Sequence, residues 1–214
     1  MKDIPMFTTE YGVASLILGE IPYRAIAYIR LQTASDPLAL LDECVSFCRA
    51  CGAEYIYATG DDALIRFPFH TAVVKMQIDT AQLPETQARL FPVLPENLEQ
   101  WRRLYNQRFA HVPMSAYMTE KAAKQMLSDG SGYFVHKDGQ LLGIGKFADN
   151  KLEAVATVIP GSGRDAVAAL CTLATDKRIS LEVADANLPA IKLYRKMGFL
   201  PVQELSRWYC INIH

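Results

Sequence analysis

Residues 187–199 read NLPAIKLYRKMGF, and this stretch decides the fold. Ala190, Leu193, Tyr194 and Met197 recur at i, i+3, i+4 and i+7, the single apolar stripe of an α-helix. Asn187 stands where a side-chain oxygen can accept from the first turn's free amides. Pro189 follows where a missing N–H costs nothing. Gly198 fits the left-handed position after the last turn. The spacing turns Tyr194 inward or into a cleft. It is either a core tyrosine with a local hydrogen-bond partner or a phenol held for chemistry.

Upstream, residues 158–170 read VIPGSGRDAVAAL. An apolar strand ends at Pro160, Gly161 and Gly163 flank Ser162, and an alanine-rich helix begins at once. Such a turn either lets a strand become a helix or presents bare amides to an anion at the positive end of the helix dipole.

Working outward, ISLEVADAN lies between these two segments as a strand, and KLEAVATVIP precedes the glycine turn as another. Before them comes a hairpin, YFVHKDGQLLGIGKF, turning at Lys137-Asp138-Gly139. Two helical patterns, ENLEQWRRLYNQRF and TEKAAKQMLSDG, stand ahead of the hairpin, and FLPVQELSRWYCINI closes the chain as β structure. Trp101, Tyr105 and Phe109 form a stripe that reads as core packing.

The proline-punctuated stretch LPETQARLFPVLPENLEQ, with Pro84, Pro92 and Pro95, predicts a boundary near residue 90. Residues 1–90 then form an N-terminal α/β domain rich in strands, and residues 91–214 a second domain. In the first, DPLALLDECVSFCRACG is a helix with Asp36 as N-cap, Pro37 at its first position and Gly52 at its stop. A strand–helix–strand order recurs in both parts, as AYIRL–DPLALLDECVSFCRACG–YIYATG and EAVATV–RDAVAALCTLATD–ISLEVA, which suggests two related half-folds. The fold class is α/β (α+β), a mixed sheet flanked by helices.

At this point the C-terminal stretch resembles the GNAT superfamily of acetyl-CoA-dependent N-acetyltransferases. That family ends its core with N-x-x-A-x-x-L-Y-x-K-x-G-F, matched by Asn187, Ala190, Leu193, Tyr194, Lys196, Gly198 and Phe199. The order of elements over about residues 95–214 is similar as well. The resemblance implies a GNAT-like sheet for residues 91–214 and a degenerate relative of it for residues 1–90. It implies acetyl-CoA as cosubstrate and a primary amine of a small molecule or protein as acceptor. It casts Tyr194 as the acid that protonates the departing thiolate, and Asn187 as a contact to the pantetheine arm. It pairs that arm with the backbone of Ala156, Thr157 and Val158, and sets the pyrophosphate against Gly161, Ser162, Gly163 and Arg164. The turn departs from the family pattern R/Q-x-x-G-x-G/A: the leading Arg or Gln and the residues between proline and glycine are absent. Arg164 follows the glycines instead, with Asp165 opposing it. This shortening, and the lack of a clear base, keep a second reading in view: a non-catalytic acyl-CoA-binding sensor or scaffold.

Glu153, Glu182 and Asp185 are the candidate bases. Strict alternation sets Glu153 with Val155 and Thr157, opposite Ala154, Ala156 and Val158. Cys44, Cys48 and Cys51 have the C-x₃-C-x₂-C spacing of a cluster-binding site. However, Leu41, Cys44, Val45 and Cys48 fall on one helical stripe and read as core. His70, His111, His136 and His214 are scattered, so no metal is expected.

With 22 basic against 23 acidic residues the chain has no basic field for nucleic acid. The start MKDIPMFTTEYG lacks the pattern of a signal peptide, and no apolar run nears the roughly 20 residues that span a bilayer. A cytoplasmic protein without membrane contact is expected, its five cysteines reduced. The sequence leaves open whether it forms a homodimer.

Overall fold

The computed structural model describes residues 5–211. The chain forms two compact units, residues 1–72 with 205–214, and residues 73–204. The division therefore falls within a strand at Ala72/Val73 rather than near residue 90. The proline-rich stretch is no linker, because Arg89–Pro92 within it pair as a strand.

In the first unit, β1 (Met6–Thr9), β2 (Gly12–Ile17) and β3 (Ile26–Ala34) run antiparallel, with a short helix α1 (Ile21–Arg24) between β2 and β3. Helix α2 (Pro37–Ala50) then crosses to β4 (Tyr55–Thr59), which lies parallel to β3. Asp36 caps α2, accepting from the Leu38 and Ala39 amides at 3.1 Å each. Leu40, Leu41, Cys44, Val45 and Cys48 of α2 pack on Leu16, Ile29 and Ile56 of the sheet. Cys44 and Cys48 are thus core residues, and burial pushes their thiols up to about 12 and about 11. The end of the chain returns to this unit, where Tyr209 and Cys210 pair with Ala58 and Tyr57.

The second unit is built on a sheet in the order β6-β7-β8-β9-β10-β5. Its members are β5 (Phe69–Asp79), β6 (Arg89–Pro92), β7 (Gly132–Lys137), β8 (Gln140–Ala148), β9 (Lys151–Thr157) and β10 (Arg178–Ala184). All neighbours are antiparallel except β9 and β10. One face carries α3 (Leu98–Phe109) and α4 (Glu120–Ser128). Here Trp101 is fully buried, donates from Nε1 to the Tyr133 carbonyl at 3.1 Å, and stacks on Tyr105, which stacks in turn on Phe109. The aromatic stripe is core.

A second core cluster is built around α5 (Gly163–Cys171) and α6 (Leu188–Met197). From Ala166 to Cys171 every residue of α5 is buried, and its alanines let it lie close to its neighbours. Val167 and Leu170, fully buried, contribute roughly 1.5–3 kcal/mol each. Gly145 of β8 makes room for this approach, since a Cβ there would fall 2.2 Å from Leu170 Cδ1. The last strand, β11 (Leu200–Cys210), follows α6 after Gly198, whose φ of +100° is the left-handed C-terminal turn expected from the sequence.

Candidate functional site

The two parallel strands β9 and β10 are hydrogen-bonded neighbours over only two rungs, Lys151 with Ser180 and Leu152 with Leu181. Beyond them the strands part. On its other side β9 stays paired to β8 as far as Thr157, and β10 stays paired to β5 as far as Ala184. The result is a wedge in the middle of the sheet, with one edge of β9 unpaired from Glu153 onward.

An irregularity in β9 lies one residue past the last rung. Lys146 pairs with Ala154 and Phe147 with Leu152, so Glu153 is an extra residue, a β-bulge. The alternation read from the sequence holds for Val155 against Ala154 and Ala156, and the bulge interrupts it just before Ala154. Leu152 and Val155 share the α5 face, while Ala154 and Ala156 face α3. A strict period of two would have set Leu152 with Ala154 and Ala156.

At the open end of β9 the chain turns into α5. Val158 donates its amide to the Leu142 carbonyl at 2.8 Å, which fixes the end of the strand. Gly161 has φ +85°, a conformation side chains resist, and open space around it. Ser162 sits at the N-cap of α5, yet it does not cap the helix. Its hydroxyl donates backward to the Ile159 carbonyl at 2.7 Å, with the Leu142 carbonyl 3.3 Å away. The amides of Gly163, Arg164 and Asp165 are left with no acceptor among the described residues. Helix α2, reached from its own parallel strand, is the contrast: Asp36 closes its first turn with a carboxylate, and β3 and β4 stay zipped over five rungs. Among the described residues, only the second unit joins an open wedge to an uncapped helix.

The opposing charge of Asp165 is neutralised. Lys137 Nζ lies 3.0 Å from its carboxylate and Thr86 donates to it at 3.0 Å. The Lys137 hydrogen bond, foremost, holds the Asp165 carboxyl below its usual value. Lys137 is 28 residues away in the chain, so no local signal in the sequence marks this pairing. Arg164 is exposed and forms no ion pair among the described residues.

Gly163 has a different role from Gly161. A Cβ on it would fall 2.8 Å from Leu193 Cδ2, so this glycine lets the start of α5 lie against α6. Asn187 caps α6 by accepting from the Ala190 amide at 3.4 Å. Tyr194 packs beside Phe199, ring centroids 5.7 Å apart, in the cluster that includes Cys171. Burial chiefly, and Cys171 secondly, push its phenol well above the ordinary range. Its hydroxyl has no protein hydrogen bond among the described residues and is not sealed from solvent.

The structure thus gathers Ala156, Thr157, Val158 and the turn Gly161–Arg164 at one end of the wedge, with α6 held against that turn through Leu193. Two of the candidate bases are occupied: Glu153 is paired to Lys146 and Glu182 to Lys151. Among the described residues no cluster of His, Cys, Asp and Glu could hold a metal, and no helix is long and apolar enough to cross a membrane.

A mixed sheet parted between two parallel strands, with a helix starting at the opening, is the architecture of the GCN5-related N-acetyltransferase fold, and the chain has that fold. A functionally unknown conserved protein from Staphylococcus epidermidis superposes with a TM-score of 0.63 over 97% of this chain and 93% of its own, at 12% identity. A GCN5-related N-acetyltransferase from Kribbella flavida gives 0.56 over 97% of this chain and 88% of its own, at 14% identity. A tandem GNAT protein from the clavulanic acid biosynthesis pathway gives 0.53 over 94% and 78%, also at 14% identity. No family model matches the sequence, and no curated protein matches it significantly.

Proposed function

We propose that the chain is an acyltransferase that moves an acetyl group from acetyl-CoA to a primary amine, and that this activity resides in the unit formed by residues 73–204. One observation carries the reading. The β9–β10 ladder stops after two rungs, and an uncapped helix begins where the strands part. The free edge of β9 can take the amides of a pantetheine arm as an added strand along Ala156, Thr157 and Val158. The unbonded amides at the start of α5 suit a pyrophosphate, with Gly161 leaving it space and Arg164 adding a cation.

Acetyl-CoA supplies an activated thioester. The amine nitrogen bonds to the acetyl carbon as the carbon–sulfur bond breaks, and the sulfur takes a proton from the Tyr194 phenol. A phenol kept neutral by burial is protonated across the whole working pH range, and its hydroxyl carries no competing protein bond. The amine's own proton leaves to water, and water returns a proton to the Tyr194 phenolate; Glu153 and Glu182 are both engaged by lysines. Asn187, already bonded through its side-chain oxygen, keeps its amide nitrogen for the arm. Five free cysteines go with a reducing, cytoplasmic compartment.

The same engaged carboxylates favour one alternative, a module that binds acyl-CoA without turning it over. Calorimetric titration with CoA and acetyl-CoA, followed by a thiol-release assay over a panel of amines, tests both. Binding with release supports the transferase. Binding without release on any amine supports the sensor, and no binding removes both.

A further inference from the structure

A cavity of about 1050 Å³ opens on the α3 face of β6 and β7, three strands away from the wedge's far wall. The strand register builds its floor. Arg89 lies opposite His136, and His136 opposite Leu141, so one rung across β6, β7 and β8 carries a cation, an imidazole and an apolar side chain. Two rungs along, on the same face, Phe91 lies opposite Phe134. Directly opposed residues stand roughly 5 Å apart at their Cβ atoms, so the four form one platform. The Phe91 and His136 rings meet edge to face, centroids 5.0 Å apart. Gln100 of α3 adds an amide to the wall.

The charges in this cavity are unequal. Arg89 is exposed and has no ion-pair partner among the described residues, whereas Lys137 is held by Asp165. Asp138, at the hairpin turn, puts one carboxylate on the rim. His136 Nδ1 is sealed from solvent without a partner, the one such side-chain atom among the described residues. An N–H there would be a buried donor with no acceptor, so the ring's proton belongs on Nε2. The imidazole then offers a donor beside the guanidinium, over an aromatic floor.

We propose that this cavity binds a small carboxylic acid with a planar apolar body. The fork of Arg89 takes the carboxylate, the His136 Nε2–H supports it, and Phe91 and Phe134 take the ring. The proposal does not rest on the acetyl-transfer reading.

The test is an NMR titration of the isotopically labelled full chain with benzoate, with benzamide as its neutral isostere. Saturable shifts at His136 and Arg89 are expected with benzoate, and benzamide should bind about tenfold more weakly or worse. Arg89→Ala should cost a similar factor and Arg89→Lys less. Arg89 is exposed, so neither variant threatens folding. Equal binding of the amide, unchanged affinity in Arg89→Ala, shifts confined to the amides of Gly163–Asp165, or no saturation at millimolar benzoate would each overturn the proposal.

Discussion

Gly163, the first residue of α5, lies so close to Leu193 of α6 that a Cβ would stand 2.8 Å from the Leu193 Cδ2 methyl. Two residues earlier, Gly161 has open space but a φ of +85°. The two glycines of one turn are therefore required for unlike reasons, and steric crowding alone ranks them wrongly. Gly161→Ala should cost about 1–2 kcal/mol through backbone strain. Gly163→Ala should cost about 1 kcal/mol or less, because the tip of Leu193 can rotate away. Urea unfolding of both variants checks the order.

Gly145 is the opposite case among the packing glycines. The atom its Cβ would meet belongs to Leu170 of α5, which is wholly buried between the helix and the sheet and has no room to swing aside. Gly145→Ala should destabilise by about 3 kcal/mol. A loss well under half of that in denaturant midpoint at unchanged m would mean that α5 lifts from the sheet more easily than its packing implies.

The Lys137–Asp165 pair predicts a pH signature. The folded state holds the Asp165 carboxyl below the ordinary value near 3.9. Its contribution is thus fully present above about pH 4 and is lost as pH falls through the lower folded value. Asp165→Asn should be less stable than the natural chain at neutral pH, by up to about 1 kcal/mol, and converge with it in acid. Unfolding midpoints of the two proteins between neutral and strongly acidic pH give the comparison. Parallel curves would show that the pair contributes nothing.

For Tyr194 the structural and catalytic roles separate cleanly. Its hydroxyl makes no hydrogen bond to the described residues, so Tyr194→Phe should leave stability within a few tenths of a kcal/mol. If the phenol protonates the leaving thiolate, kcat should fall on the order of 10-fold to 100-fold with little change in CoA affinity. An unchanged kcat, with chemistry rate-limiting, would assign the residue to packing alone.

How far the sequence carried depends on whether a signal was local. The cap at Asn187, the stripe through Tyr194 and the stop at Gly198 are set within thirteen residues, and the helix follows from them. The same holds for Asp36 and Pro37 at α2. What escaped was set by distant partners. The prolines near residue 90 look like a linker until β7 is seen beside them, when RLFP becomes the outer strand of the sheet. Asp165 looks like an obstacle to an anion until Lys137 arrives from the hairpin. Within the candidate site, the order of strand, turn and helix could be read. The division of labour between Gly161 and Gly163 could not, because it depends on where Leu193 lies.

The bulge at Glu153 has a consequence for how this site tolerates change. The surplus residue sits where the β9–β10 ladder stops, so the same point of β9 loses one partner and slips against the other. Chain length, and not only side-chain identity, is therefore part of how this edge is built. A residue added to or removed from β9 here shifts every position between the bulge and the glycine turn by one, exchanging the two faces of the strand.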